Sequence, residues 1–194
     1  MNRLSIYKTH PNVILPKFAT KGSACFDLAF QAEGKSTYKG YNAFNTEFTR
    51  SLQDGRLTIM PGDRVLVPTG YIFDIPVGFS VRIHARSGLS LKQGLVLANA
   101  EAVIDSDYIE ETMVMLTNLS ENPLTINNGD RIAQAEMIKS EDYVLWETME
   151  RPLKKTDRDG GLGSTGVAVF EPTDIQYTEE QQEKRGRGRP KKVA

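Results

Sequence analysis

Residues 95–138 read LVLANAEAVIDSDYIEETMVMLTNLSENPLTINNGDRIAQAEMI, and this stretch decides the fold. It breaks into the short runs LVLANA, AVIDSDY, TMVMLTNL, LTINN and RIAQAEMI, most of them rich in Val, Ile, Thr and Leu. Turn residues punctuate the runs, NLSENP ahead of Leu124 and NNGD ahead of Arg131. Short apolar segments of this kind satisfy their backbones only by pairing with one another. The predicted class is therefore all-β, as a closed or double-layered sheet.

Upstream the pattern repeats. LTIM, a PGD turn, RVLVPTGYIFDIP, a VG turn and FSVRIHA predict two or three more strands over residues 57–85, the last with Val81, Ile83 and Ala85 as its apolar set. SGLSLKQGL predicts one helix of about two turns, with Ser87 as N-cap, Leu89 and Leu91 as apolar positions and Gly94 as its stop. Residues 11–28 predict a loop closing on a short apolar run. Residues 33–57, EGKSTYKGYNAFNTEFTRSLQDGRL, show no sustained period and predict a long excursion with at most a marginal hairpin. From Glu171 the chain turns polar and ends KRGRGRPKKVA, a composition that predicts disorder.

A chain of 194 residues, 39% apolar and 25% charged, buries one ordinary core, so one domain is expected over residues 1–170 with 171–194 as a tail. Cys25 is the single cysteine, which excludes an intramolecular disulfide and fits a reducing compartment. His10 and His84 are too few and too scattered for a zinc site to be expected. No window approaches about 18 consecutive apolar residues, and MNRLSIYKTH lacks the apolar stretch of a signal peptide. No membrane partner is expected, and the location reads as cytoplasmic, or nuclear in a eukaryotic host. Net charge is −1, yet Lys184, Arg185, Arg187, Arg189, Lys191 and Lys192 put six positive charges into the last eleven residues, which hold no acid. Of 24 basic residues 18 remain, against 25 acidic ones, so the rest of the chain stands at −7. Signs segregated in this way predict a polyanion-binding tail on an acidic body.

Four segments carry candidate chemistry. HARSGL places Arg86 and Ser87 at the mouth of the short helix, where free amides and the helix dipole favour an anion such as phosphate. The plain alternative is a capped helix with a surface arginine. Asp105 follows the apolar run Ala102 to Ile104, where an unpaired carboxylate is costly and implies a partner or a function. Asp105 and Asp107 are expected to face opposite ways, leaving one for any given cavity; the plain alternative is an Asp-Ser-Asp turn. DRDGGLGSTG, residues 157–166, has the composition of a flap able to lay amides against phosphates with Arg158 as a clamp, or of a plain linker. It matches neither the dinucleotide fingerprint nor the P-loop. GDRIAQ by itself is a turn entering a strand.

Taken in order, ATKGSACFDL (19–28), HARSGL (84–89), NAEAVIDSDY (99–108), GDRIAQ (129–134) and GGLGSTG (160–166) resemble the five motifs of the trimeric dUTPase family. The resemblance covers about residues 12–32 and 58–166 and lapses over 33–57 and beyond Val167. It implies a distorted β-barrel or jelly roll, and a homotrimer in which each site is built from three chains. It also implies hydrolysis of dUTP to dUMP and pyrophosphate with Mg²⁺ on the triphosphate. On the same resemblance Asp105 would be the general base, Tyr108 would pack under the deoxyribose, and Asn99 would contact uracil with Ile104 also against the substrate. Arg86, Ser87 and Gln134 would grip the phosphates beside Gly88, while Asp27 would meet water on the magnesium ion. Arg158, Leu162, Gly163 and Ser164 would come from the flap of a neighbouring chain. In-line attack at phosphorus needs these parts: an aligned water, a base, and cations over the equatorial oxygens.

The sequence departs from the family pattern at four points. Cys25 and Ala102 stand where glycine is usual, so a need for positive φ there would change the backbone. Ile109 and Glu110 replace the usual Arg-Gly after Tyr108, and Leu162 replaces the flap aromatic, with the spacing from Arg158 one residue short. The enzyme alternative is a dCTP deaminase-like protein, which shares the fold and a similar Ala-Arg-Ser motif. A regulatory nucleotide- or DNA-binding module without turnover is the alternative from another class. Asp-Ser-Asp-Tyr and the glycine flap favour the dUTPase, and the intact Asp105 favours catalysis. In the tail, GRGRP (186–190) resembles an AT-hook over 185–192, whose Arg187, Gly188, Arg189, Pro190 and Lys191 would lie in an A·T-rich minor groove. A solvated basic tail and a nuclear localisation signal are the alternatives.

Overall fold

The computed structural model describes residues 3–157. Within them β1 (Ser5–Lys8) pairs with β7 (Tyr71–Asp74), and β5 (Arg56–Ile59) pairs with β12 (Leu124–Asn127). A four-stranded sheet runs in the order β10 (Ala102–Ile104), β8 (Phe79–His84), β13 (Arg131–Lys139), β2 (Phe26–Ala29). A five-stranded sheet runs β4 (Glu47–Ser51), β3 (Thr37–Tyr41), β6 (Arg64–Pro68), β11 (Met113–Asn118), β9 (Leu95–Leu97). Every pairing among them is antiparallel. The single described helix is α1 (Ser87–Gln93). The sheets remain separate among the described residues, so the jelly roll holds and the closed barrel does not.

One face of each strand makes the core. Val114 and Leu116 of β11 are buried while Met115 between them is exposed, and Val65 with Val67 of β6, Leu57 with Ile59 of β5, and Val81 with Ile83 of β8 point into the same cluster. Burial of such a side chain stabilises the fold by about 1.5–3 kcal/mol, which is why the period-2 pattern dictates which face turns inward. The compact unit runs through Val144; from Leu145 the chain forms a second unit, described through Asp157 and holding no strand or helix there.

Three expectations are corrected. Residues 57–85 hold four strands, since β6 and β7 are separated by Thr69-Gly70, and β1 carries no signal in the sequence pattern at all. Ser87 is not the N-cap: Arg86 occupies that position in an extended conformation and gives no side-chain cap, its guanidinium being drawn elsewhere. Gly94 does end the helix, at φ 69, but Leu91 is 87% exposed and no residue of α1 is buried.

The third correction concerns residues 33–57, which build a full hairpin. β3 and β4 pair from Thr37↔Ser51 to Tyr41↔Glu47, and β3 continues the five-stranded sheet on β6. The inward positions are Tyr38 and Gly40, so a glycine stands where a period count looks for an apolar side chain. A Cβ at Gly40 would lie 2.3 Å from the Arg64 carbonyl oxygen, which leaves room for glycine alone. Tyr38 donates its hydroxyl to the Thr58 carbonyl at 2.7 Å, and Arg50 lies 3.7 Å over the Phe48 ring while pairing with buried Asp63.

Candidate active site

Register in the four-stranded sheet assembles half of the expected site. Gln134 on β13 stands opposite Asp27 on β2 and opposite His84 on β8, and cross-strand partners share a face. Arg86, two residues beyond His84, brings Nε to 3.2 Å from one Asp27 oxygen and donates through Nη1 to the Arg131 carbonyl at 3.0 Å. Arg131 donates to the other Asp27 oxygen at 3.0 Å. Gln134 donates its amide to the Ala85 carbonyl at 3.0 Å, which fixes the segment joining β8 to α1.

These residues line a cleft of about 420 Å³, together with Ser87 and Gly88 at the exposed start of α1 and Lys92 one turn on. Among the described residues three cations, Arg86, Arg131 and Lys92, and one carboxylate, Asp27, line it. Both guanidinium groups are preorganised by Asp27, and charge-assisted pairs of this kind orient donors that a phosphate can share.

The other half lies elsewhere in the chain. Asn99 sits in the turn after β9, and Ile104 closes β10. Asp105 and Tyr108 form a turn in which the Tyr108 amide donates to the Asp105 carbonyl at 3.2 Å, and both side chains are exposed. None of these four lines the cleft. The expected opposition of Asp105 and Asp107 fails on two counts: residues two apart on a strand share a face, and here they lie in a turn. The burial argument for Asp105 fails as well, because its side chain is in solvent; the Asp-Ser-Asp turn is present as the plain alternative had it.

β9 pairs with β11 and β10 with β8, so residues 98–101 cross from one sheet to the other. The positive φ that the crossing needs falls on Ala100, at 61°, and neither Cys25 nor Ala102 has one. Those two departures from the family pattern therefore impose no strained backbone. Beyond Tyr108, Ile109 and Glu110 belong to no strand. Arg158, Leu162, Gly163 and Ser164, with the tail residues Arg187, Gly188, Arg189, Pro190 and Lys191, lie outside the described residues.

Arg131 escapes the motif reading, although it is within sight of it. It is the one cation of GDRIAQ, but three residues before Gln134 it would face the other way on a regular strand; the register shift between Arg131 and Ala133 sets it opposite Ala29, on the Asp27 face.

Fold and cleft together define an all-β protein with a cationic pocket suited to phosphate. A family model described as dUTPase matches residues 50–166. The deoxyuridine 5'-triphosphate nucleotidohydrolase of Neorickettsia sennetsu is 38% identical over 154 residues, covering 79% of this chain and 88% of that one. Among solved structures, the dUTPase of Staphylococcus bacteriophage 80alpha with dUPNHPP is similar at TM-score 0.67 and 21% identity, over 86% of this chain and all of that one. A point mutant of the dUTPase from phage phi11 of S. aureus, described with a structural Mg(II) ion, gives TM-score 0.59 at 19% identity, over 77% and 98%. The chain belongs to the dUTPase family.

Proposed function

We infer that this chain hydrolyses dUTP to dUMP and pyrophosphate as a Mg²⁺-dependent dUTP diphosphatase, acting as a homotrimer. Family membership supports the reaction, and the observation that carries the reading is the Asp27–Arg86–Arg131 cleft with Gln134 at its wall. Arg86, Ser87, Gly88 and Gln134 bind the phosphates there. Asp105 takes a proton from the water that attacks the α-phosphorus, the bond from that phosphorus to its bridging oxygen breaks, and pyrophosphate leaves. Asn99, Ile104 and Tyr108 hold the nucleoside, and Arg158, Leu162, Gly163 and Ser164 close over it. Within one chain Asn99, Ile104, Asp105 and Tyr108 do not line the cleft that Arg86, Ser87, Gly88 and Gln134 line, which favours sites completed between copies. Tyr143, Leu145, Trp146, Met149 and Leu153 are all exposed, a run of apolar surface of the kind that a neighbouring subunit covers.

The donor set fits magnesium carried by the substrate. Among the described residues Asp27 is the one carboxylate lining the cleft and both its oxygens already face guanidinium groups, so it suits the waters around the ion better than the ion itself. Bound Mg²⁺ supplies positive charge against the triphosphate. A pyrophosphate-release assay across dUTP, dCTP, dTTP and UTP tests the reading: release from dUTP far above the others is expected, and deamination of dCTP instead would overturn it.

The domain boundary and the tail belong to the same proposal, with residues 1–170 as the catalytic domain and 171–194 as an appendage that binds A·T-rich DNA through Arg187 to Lys191. Six charges displace at most about six counterions, giving a log–log salt slope no steeper than about −5. Removing residues 184–194 should abolish DNA binding and spare dUTP hydrolysis, and Arg189→Ala should erase a preference for A·T-rich over G·C-rich duplex. Equal affinity of the intact chain for both duplexes would leave a plain basic tail. No described helix is long and apolar enough to cross a membrane. A cytoplasmic location, or a nuclear one in a eukaryotic host, completes the proposal.

A further inference from the structure

The polar face of the four-stranded sheet continues past the cleft. Two residues along the chain from each of three cleft residues stands a side chain able to bind a metal: Cys25 before Asp27, Glu136 after Gln134, and His84 before Arg86. Phe26 pairs with Ala135 and His84 with Gln134, which sets Cys25 beside Glu136 and His84 on the same face. Cys25 Sγ, a Glu136 oxygen and a His84 ring nitrogen all lie within 4.8 Å of one another, and the three residues are half-buried. His84 Nε2 is 3.3 Å from Glu136, and Nδ1 is 3.5 Å from Glu101 on the other side.

We propose that Cys25, His84 and Glu136 hold a Zn²⁺ ion, with water as the fourth ligand and Glu101 orienting His84 through Nδ1. Zinc bonds of about 2.0–2.3 Å in a tetrahedron separate ligand atoms by about 3.3–3.7 Å, so the His84–Glu136 pair already has ligand spacing and the cluster closes by about 1 Å. Thiolate with imidazole selects zinc over magnesium, which takes oxygen ligands. A carboxylate on the far ring nitrogen is the outer partner that metal-bound histidines usually have. Counting histidines in the sequence argues against a zinc site; strand register gathers ligands that are far apart in the chain. Binding must displace the thiol proton, which burial and then the Glu136 charge hold on by raising the Cys25 pKa. An ion there ties β2, β13 and β8 together next to the cleft, and it does so whether or not dUTP is the substrate.

The test uses the full chain, Zn²⁺ in competition with a chromophoric chelator, and Co²⁺ as the spectroscopic probe, with Mg²⁺ in excess. One ion per chain is expected, with a sulfur-to-cobalt charge-transfer band that only Cys25, the single cysteine, can supply. Cys25→Ser should remove the band. His84→Gln and Glu136→Gln should each weaken binding by at least about tenfold, and Glu101→Gln by about tenfold or more, since even outer-shell losses reach 10- to 100-fold. Far-UV circular dichroism checks that each variant is folded, and X-ray absorption at the zinc edge of the unaltered chain, showing one sulfur among nitrogen and oxygen ligands, needs no variant at all. A zinc shell without sulfur, absence of the band, or unchanged affinity in both His84→Gln and Glu136→Gln would overturn the proposal.

Discussion

Asp27 and Asp105 are the two carboxylates on which the proposed reaction turns, and the fold treats them in opposite ways. Asp27 sits on a strand in register with β13, has both oxygens engaged by guanidinium groups, and is mostly buried. Asp105 sits in a turn, its side chain in solvent, with only its backbone carbonyl engaged by the Tyr108 amide. What cross-strand pairing holds is preorganised within one chain. What the turn holds is left in solvent, and on the proposed reading that is the half a neighbouring copy meets.

The largest expected effect falls on the exposed half. Asp105→Asn should keep the fold and nucleotide affinity while kcat drops by about 10²- to 10⁴-fold. Steady-state kinetics beside circular dichroism would measure it, and turnover close to the parent's would remove Asp105 from the chemistry. Asp107→Asn, on the same turn, should lose much less; equal losses would leave the choice between them without support.

On the fixed half, Arg86→Ala should cost about 10²- to 10³-fold in kcat, the usual range for deleting one donor aimed at developing charge. The sharpest form of the comparison mixes the two inactive chains. If the halves meet across subunits, equal mixing of Arg86→Ala with Asp105→Asn should return about a quarter of the sites, since each site needs one intact half from each chain. Verified mixed oligomers that stay dead would place both halves in one chain. Deleting residues 159–167 should likewise remove most turnover yet leave the oligomer intact, read by light scattering, because a closing segment is not part of the core.

The smallest effect asks whether the 33–57 hairpin belongs with the fixed half. Gly40→Ala should destabilise by about 1–3 kcal/mol through overpacking against the Arg64 carbonyl, lowering Tm by roughly 2–12 °C in a chain of this size. Gly22→Ala, where an added Cβ meets nothing within 4 Å, serves as the control and should leave Tm unchanged.

Legibility in the sequence follows the same division. Strands β5, β6, β8, β11, β12 and β13 announce themselves through alternating branched residues bounded by turns, and the cleft residues Arg86, Ser87, Gly88 and Gln134 through their motifs. Gly94 is readable because an αL stop leaves a glycine at a fixed place. The hairpin at 37–51 is not, since Gly40 fills an inward position by having no side chain. Periodicity shows that a strand exists but not which sheet receives it, so the crossing at 98–101 has no mark in the sequence. Propensity puts the N-cap at Ser87 because it ignores the pull of Asp27 on Arg86. Arg131 and the Cys25–His84–Glu136 cluster exist only through register, which no single segment contains.

Trp146 is the only tryptophan of the chain, it lies after the compact unit, and it is 87% exposed. Emission excited through it is therefore a gauge of what covers residues 145–157. Heating the oligomer should show a red shift of that emission when the covering surface lets go, while far-UV ellipticity reports the strands on a curve of its own. Two midpoints that disagree would record subunit release, and a folding intermediate need not be invoked to explain them.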